Sequence, residues 1–143
     1  MSVSILGPAS VSSGQAIPLF SDAVQAGFPS PAADYVERRL NLNDLCIQHP
    51  AATYFLKCSG DSMDGDGFHD GDLLVVDRKL KPLHNDIVVA EIEGEFTLKR
   101  LILKPRPCLK PSNPKYGPIW LDDGITMSVF GVVTFRLHPT YKR

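Results

Sequence analysis

Polar and apolar positions along the chain change character near residue 50. The first 16 residues, "MSVSILGPASVSSGQA", keep neither a helical nor a strand period long enough to bury a face. They read as part of a mobile arm. The segment "IPLFSDAVQAGFPSPAADY" then sets Ala26 and Gly27 beside Phe28, Pro29 and Pro31. Proline fixes φ and pushes its predecessor toward extended geometry, so an exposed, extended linker is expected, the shape that protease clefts accept. "SPAADYVERR" predicts a short helix, with Ser30 as N-cap and Pro31 in its first turn.

From residue 53 the pattern is that of strands. "TYFLKCS", "DLLVVD", "DIVVAEIEGEFTLKRLIL" and "MSVFGVVTFRL" are β-branched or aromatic runs broken by Gly, Pro, Asn and Asp. Glu93-Gly94 falls between two of them as a hairpin turn. The fold class is therefore mainly β, a compact β domain behind a flexible N-terminal arm.

Composition narrows the function. At 143 residues, 43% hydrophobic and 8% aromatic, the chain suits one globular core. A net charge of −1 offers no basic field for DNA, so no sequence-specific DNA binding is expected. No apolar run approaches the ~18 residues that span a bilayer. Residues 1–26 hold one charged residue, Asp22, and lack the basic start of a secretory signal. Cys46, Cys58 and Cys108 are too few for a disulfide framework, which points to a reducing cytoplasm.

Two positions carry candidate chemistry. Strand alternation sets Thr97, Lys99, Leu101 and Leu103 on one face of "EFTLKRLIL" and Phe96, Leu98, Arg100 and Ile102 on the other. Lys99 is then either an edge lysine reaching for water or a desolvated amine able to act as a general base. The second position is Ser62, inside "KCSGDSMDGDGFHDGD", which holds five Asp and four Gly. The segment is either a solvated loop or a turn holding a nucleophile. In the second reading Gly60 permits the tight bend, and neighbouring N–H groups can cradle an oxyanion.

Other patterns fail. Asp61, Asp64, Asp66, Asp70 and Asp72 miss the EF-hand spacing, and most of them read as solvated turn acids. "GDSMD" lacks the last glycine of the G-x-S-x-G elbow, and Pro111 and Pro114 forbid the helix that would align Ser112-x-x-Lys115. Nothing in the sequence selects among His69, His84 and His138 as a triad member. Cys46-x-x-His49 is a lone ligand pair, so no metal is expected.

Taken in order, "GFPSPAADYVERRLNLNDLCIQHPAATYFLKCSGDSM", "DGDLLVVDR", "DIVVAEIEGEFTLKRL" and "VFGVVTF" resemble the UmuD proteins of the bacterial SOS response. These are relatives of the self-cleaving LexA C-terminal domain. The resemblance spans residues 17–138 and implies a LexA C-terminal-like, signal-peptidase-like β domain. It implies Ser62 as nucleophile, Lys99 as general base and Ala26-Gly27 as the scissile bond. Gly60, Asp61 and Met63 would support the turn and the oxyanion.

By the same resemblance, residues 1–26 are an arm removed by self-cleavage, and residues 27–143 form the autopeptidase and polymerase-partner domain. A homodimer in the bacterial cytoplasm, cleavage stimulated by a RecA–single-strand DNA filament, and partnership with a UmuC-like Y-family polymerase in translesion synthesis are also implied. Neither a cofactor nor a membrane enters. Signal peptidases share the Ser-Gly-x-Ser-Met block but need an anchor, and LexA repressors carry a helix-turn-helix that this arm is too short to hold. Two rival readings are a non-catalytic interaction module with a vestigial dyad, and a small hydrolase of an external molecule such as a nucleotide.

Overall fold

Glu93 and Gly94 both adopt positive φ, at 51° and 84°, the conformation of a two-residue hairpin turn whose twist matches its strands. That turn joins β6 (Ile87–Ile92) to β7 (Glu95–Ile102), with Ile92 facing Glu95 and Val88 facing Lys99. In this computed structural model the described residues are 1–9, 17–20 and 36–141. They fall into two units, one of residues 1–9 and 49–143 and one of residues 10–48.

The larger unit is a β sheet that closes on itself. Besides β6 and β7 it contains β1 (Ser2–Pro8), β4 (Thr53–Ser59), β5 (Leu73–Asp77), β8 (Cys108–Lys110), β9 (Ile119–Trp120) and β10 (Met127–Leu137). The order is β1-β4-β5-β10-β6-β7-β8-β9, and a further pairing of Ser2 with Thr97 joins β1 to β7. The strands expected from "TYFLKCS" and "MSVFGVVTFRL" occupy the same residues in the structure.

Closure buries both faces of the central strands, which explains why their sequences run apolar rather than alternating. Val89 packs in one core with Leu56, Cys58, Met63, Leu74, Val76 and Leu98. Its neighbours Val88 and Ala90 pack in another with Leu101, Leu109 and Val132. Burial of each large aliphatic chain contributes about 1.5–3 kcal/mol.

Where residues 1–16 show no period, Ser2–Pro8 nonetheless form a strand antiparallel to β4, from Ser2 opposite Ser59 to Pro8 opposite Tyr54. Only Val3 packs against the core from this strand, and backbone pairing holds the rest, so the sequence carries no alternation to read. The helix expected in "SPAADYVERR" is also corrected. Val36–Leu40 is strand β3, paired antiparallel with β2 (Ile17–Phe20), because a strand partner supplies the backbone bonds that a helix would make internally. Residues 30–35 lie outside the described residues. In the same unit, α1 (Leu42–Cys46) is capped by Asn41, whose side chain accepts the Asn43 N–H at 2.9 Å. Among the described residues no helix is long and apolar enough to cross a membrane.

β10 serves two partners, pairing with β6 through its first half and β5 through its second, with register shifts at Val129/Gly131 and Val133/Phe135. Gly131 sits at the crossing, where an added Cβ would lie 2.6 Å from Val76 Cγ1 and 3.1 Å from the Asp77 carbonyl. Gly131→Ala is therefore expected to destabilise the fold by about 1–3 kcal/mol in urea unfolding. An unchanged midpoint would show that the strand crossing relaxes freely.

Candidate active site: a buried serine–lysine pair

The turn after β4 is held from three sides. Its base is closed where Cys58 N–H donates to Asp72 O at 3.0 Å and Gly71 N–H to Cys58 O at 2.8 Å. Inside, Asp70 accepts the Gly60 N–H at 2.9 Å, and Gly60 takes φ +96°, a conformation that L side chains rarely adopt. Ser62 and Met63 then lie at the bottom, 1% and 0% exposed, with Met63 rooted in the core.

The third side is the segment around Ser112, which sequence reading weighed only as a serine–lysine spacing and set aside. The Ser62 carbonyl accepts the N–H groups of Ser112 and Asn113, at 2.9 and 3.1 Å. Asn113 Nδ2 donates to Asp61 O at 3.1 Å, and the Tyr116 hydroxyl meets Asp61 Oδ1 at 2.6 Å. "PSNPKY" thus holds the Ser62 turn. A run of prolines and short polar residues is the signal, visible only once the two segments are adjacent. Gly65 packs against the same segment, where an added Cβ would lie 2.2 Å from the Ser112 carbonyl.

Lys99 comes from β7 and is 6% exposed. Its Nζ lies 3.1 Å from Ser62 Oγ, 2.9 Å from Thr97 Oγ1 and 3.1 Å from the Leu98 carbonyl. Among the described residues no carboxylate stands within ion-pair distance of that ammonium. Burial pushes the Lys99 amine below its ordinary value of 10.5, against a smaller upward pull from the Met1 amine. Its neighbour Arg100 points to the opposite face, pairing with Asp66 Oδ1 at 2.9 Å and the Asn85 carbonyl at 2.7 Å. Alternation along β7 therefore gives one cation an ion pair and leaves the other bare.

Met1 covers the pair. Its carbonyl accepts the Leu98 N–H at 2.8 Å and the Thr97 hydroxyl at 3.2 Å, and its amine donates to Ser62 Oγ. Burial first, then the adjacent Lys99, lowers that amine to about 5. Gly60 lies directly beneath, an added Cβ there falling 3.7 Å from Met1 Cα.

Of the residues named from sequence, Ser62, Lys99, Gly60, Asp61 and Met63 converge here. Gly60 commits its N–H to Asp70. Among the described residues the N–H groups of Asp61, Ser62 and Met63 make no hydrogen bond, so donors beside the Ser62 hydroxyl are open to an oxyanion. Ala26 and Gly27 lie outside the described residues, between β2 and β3 in the chain. The three thiols are all raised above their ordinary value, chiefly by burial, so none is poised as a nucleophile. His49 pairs with Asp77 Oδ2 at 2.6 Å, and His84 accepts the Leu103 N–H at 2.9 Å. Asp72, one of the five acids of this turn of which most are expected to be solvated, is fully buried.

The Peptidase S24-like family matches residues 18–134. The chain is 55% identical to Protein ImpA of Escherichia coli over 125 residues, covering 86% of this chain and 84% of that one. It is 47% identical to Protein MucA of Salmonella typhimurium over 146 residues, the whole of both chains. The LexA repressor of Xylella fastidiosa is 39% identical over 117 residues, or 81% of this chain and 55% of that protein.

A bare, buried lysine has a signature of its own. In a 13Cε NMR titration, Lys99 is expected to lose its proton below the ordinary lysine value, because desolvation penalises only the charged form. A Lys99 resonance inflecting at or above 10.5 would show the amine to be solvated.

Proposed function

Because the chain belongs to the Peptidase S24-like family, we propose that it is an autopeptidase that cuts its own Ala26-Gly27 bond through Ser62 and Lys99. Neutral Lys99 takes the hydroxyl proton as Ser62 Oγ attacks the Ala26 carbonyl. The Ser62 and Met63 N–H groups hold the resulting oxyanion. As the C–N bond breaks, Lys99 returns the proton to the Gly27 amine, leaving Ala26 esterified to Ser62. Water, activated by the same amine, then hydrolyses the ester. Residues 1–26 depart and residues 27–143 remain as the working form.

The observation that carries this reading is the 3.1 Å approach of a carboxylate-free, buried lysine to a buried serine hydroxyl. A lysine so placed only for stability would be expected to have an acid beside it or to reach water. Resemblance to UmuD-like proteins adds the setting. The shortened chain would work as a homodimer in the bacterial cytoplasm, joining a UmuC-like Y-family polymerase in error-prone synthesis past lesions. A RecA–single-strand DNA filament would stimulate the cut.

The cover over Ser62 gives such a stimulus something to act on. A scissile strand reaching Ser62 needs the space and the Leu98 N–H that Met1 now uses. Cleavage therefore requires β1 to yield, which makes the described conformation a latent one.

Intact-mass analysis from pH 7 to pH 10, with and without an activated RecA filament, tests the reaction. A product beginning at Gly27 is expected to accumulate about tenfold faster per pH unit until Lys99 is neutral, because only the neutral amine accepts a proton. Ser62→Ala and Lys99→Ala are expected to remain intact. An unchanged wild-type mass under all conditions would favour the interaction module, and cleavage that persists in Ser62→Ala would displace the nucleophile. Val3→Asp weakens β1 without touching the pair. Losing ~1.4 kcal/mol of strand docking is expected to quicken cleavage at pH 7 on the order of tenfold, whereas an equal or slower rate would mean Met1 is no obstacle.

A further inference from the structure

The reaction leaves one cluster of ligating side chains unused. His69 and Asp72 stand at the base of the Ser62 turn, and His138 follows the last residue of β10. The Asp72 carboxylate is completely buried, with one oxygen accepting the His69 backbone N–H at 2.8 Å and the other 2.5 Å from His138 Nδ1. His69 Nδ1 lies 3.9 Å from the first of these oxygens, and the two imidazole rings are 4.7 Å apart.

A fully buried carboxylate normally has a lysine or arginine beside it. Among the described residues Asp72 has only the two imidazoles. Both rings are partly open to solvent, the His69 side chain 53% and His138 32% exposed, so an ion and its waters can reach them. One ligand atom from each residue already falls within 4.8 Å of the others. Tetrahedral zinc, with bonds of about 2.0–2.2 Å, sets its ligands about 3.3 Å apart, a gap that rotation of two exposed rings can close.

We propose that His69, Asp72 and His138 form a binding site for one divalent transition-metal ion of the zinc class, completed by water. Two imidazoles and one carboxylate suit zinc, cobalt or nickel, whereas calcium and magnesium require oxygen ligands. The Cys58 thiol donates to the His69 carbonyl at 3.3 Å and so braces the loop that bears the first ligand. Arg136, two residues before His138, turns its guanidinium onto the Phe68 ring, 5.7 Å from the centroid.

The ion would tie the end of β10 to the closing pair of the Ser62 turn, formed by Cys58, Gly71 and Asp72. It takes no part in proton transfer, and its binding is independent of Ser62 and Lys99. Lone Cys/His spacings gave no sign of it, since the third ligand enters from 66 residues beyond Asp72.

Isothermal titration of the full-length, tag-free protein with Zn2+ at pH 7.5 is the test, with Co2+ absorption as a second readout. One equivalent is expected, together with a higher melting temperature. His69→Ala and His138→Gln should each weaken binding about tenfold or more, while His84→Ala and Ser62→Ala should bind as the wild type does. Glutamine at 138 can still donate to Asp72, so that variant keeps the local fold, which circular dichroism checks. No saturable Zn2+ binding, or equal affinity in the His69 and His138 variants, would overturn the assignment, as would Ca2+ binding of the same strength.

Discussion

A lysine ammonium with no counter-charge inside a closed sheet is the constraint on which this molecule turns. Moving a cation from water into a protein interior costs several kcal/mol even after relaxation. The cost falls on the charged form only, so the fold can lower it by letting the proton go. What offsets the remainder is the amine's three hydrogen bonds and the burial of the strands that carry it: Leu98 next in the chain and Val88 opposite in the register are both fully buried. The strained proton balance of Lys99 therefore requires the barrel, and a looser sheet that admitted water would return the amine to its ordinary chemistry.

The same closure creates a conflict over one edge. β1 completes the ring by touching β4 along its length and β7 at Ser2, and Met1, just before it, caps Ser62. An extended peptide binding at Ser62 would add to the sheet through these same main-chain groups. Dryness around Lys99 and access for a peptide thus draw on one set of hydrogen bonds. Under the proposed cleavage, an incoming strand would restore the seal that the departing one breaks, exposing the amine only during the exchange.

Much of this was legible in sequence wherever burial and chemistry shared a local pattern. "TYFLKCS" and "MSVFGVVTFRL" are strands end to end because their β-branched and aromatic content matches a half- or fully buried pleat. Ser62 and Lys99 were legible because an unusual residue stood in each pattern, and several ordered blocks resembled one family. Whatever depends on distant pairing was not. Ser2–Pro8 is held by the backbone of β4, and Val36–Leu40 is a strand because β2 lies beside it. Neither partner leaves a mark in the local sequence, and the short β8 and β9 are silent for the same reason.

The aspartates of the Ser62 turn show most clearly how a composition can mislead. Five acids in a glycine-rich run look mostly like solvated decoration, yet three of them divide the work of holding the segment. Asp70 takes the Gly60 N–H, Asp72 takes the His69 N–H, and Asp61 receives the Tyr116 hydroxyl. Each bond removes a freedom from a segment that has no ladder of its own, and the Ser112–Asn113 amides remove another at the Ser62 carbonyl. The Asp61 carbonyl, bonded by Asp64 N–H and Asn113 Nδ2, shares its peptide plane with the Ser62 N–H, and the Ser62 carbonyl shares its own with the Met63 N–H, so both N–H groups are held in direction without being bonded themselves. Donors left open but unable to turn are what an oxyanion requires, since no reorganisation is then needed when charge develops. Groups that stand away from Ser62 Oγ thereby hold the direction of the amides proposed to cradle the oxyanion.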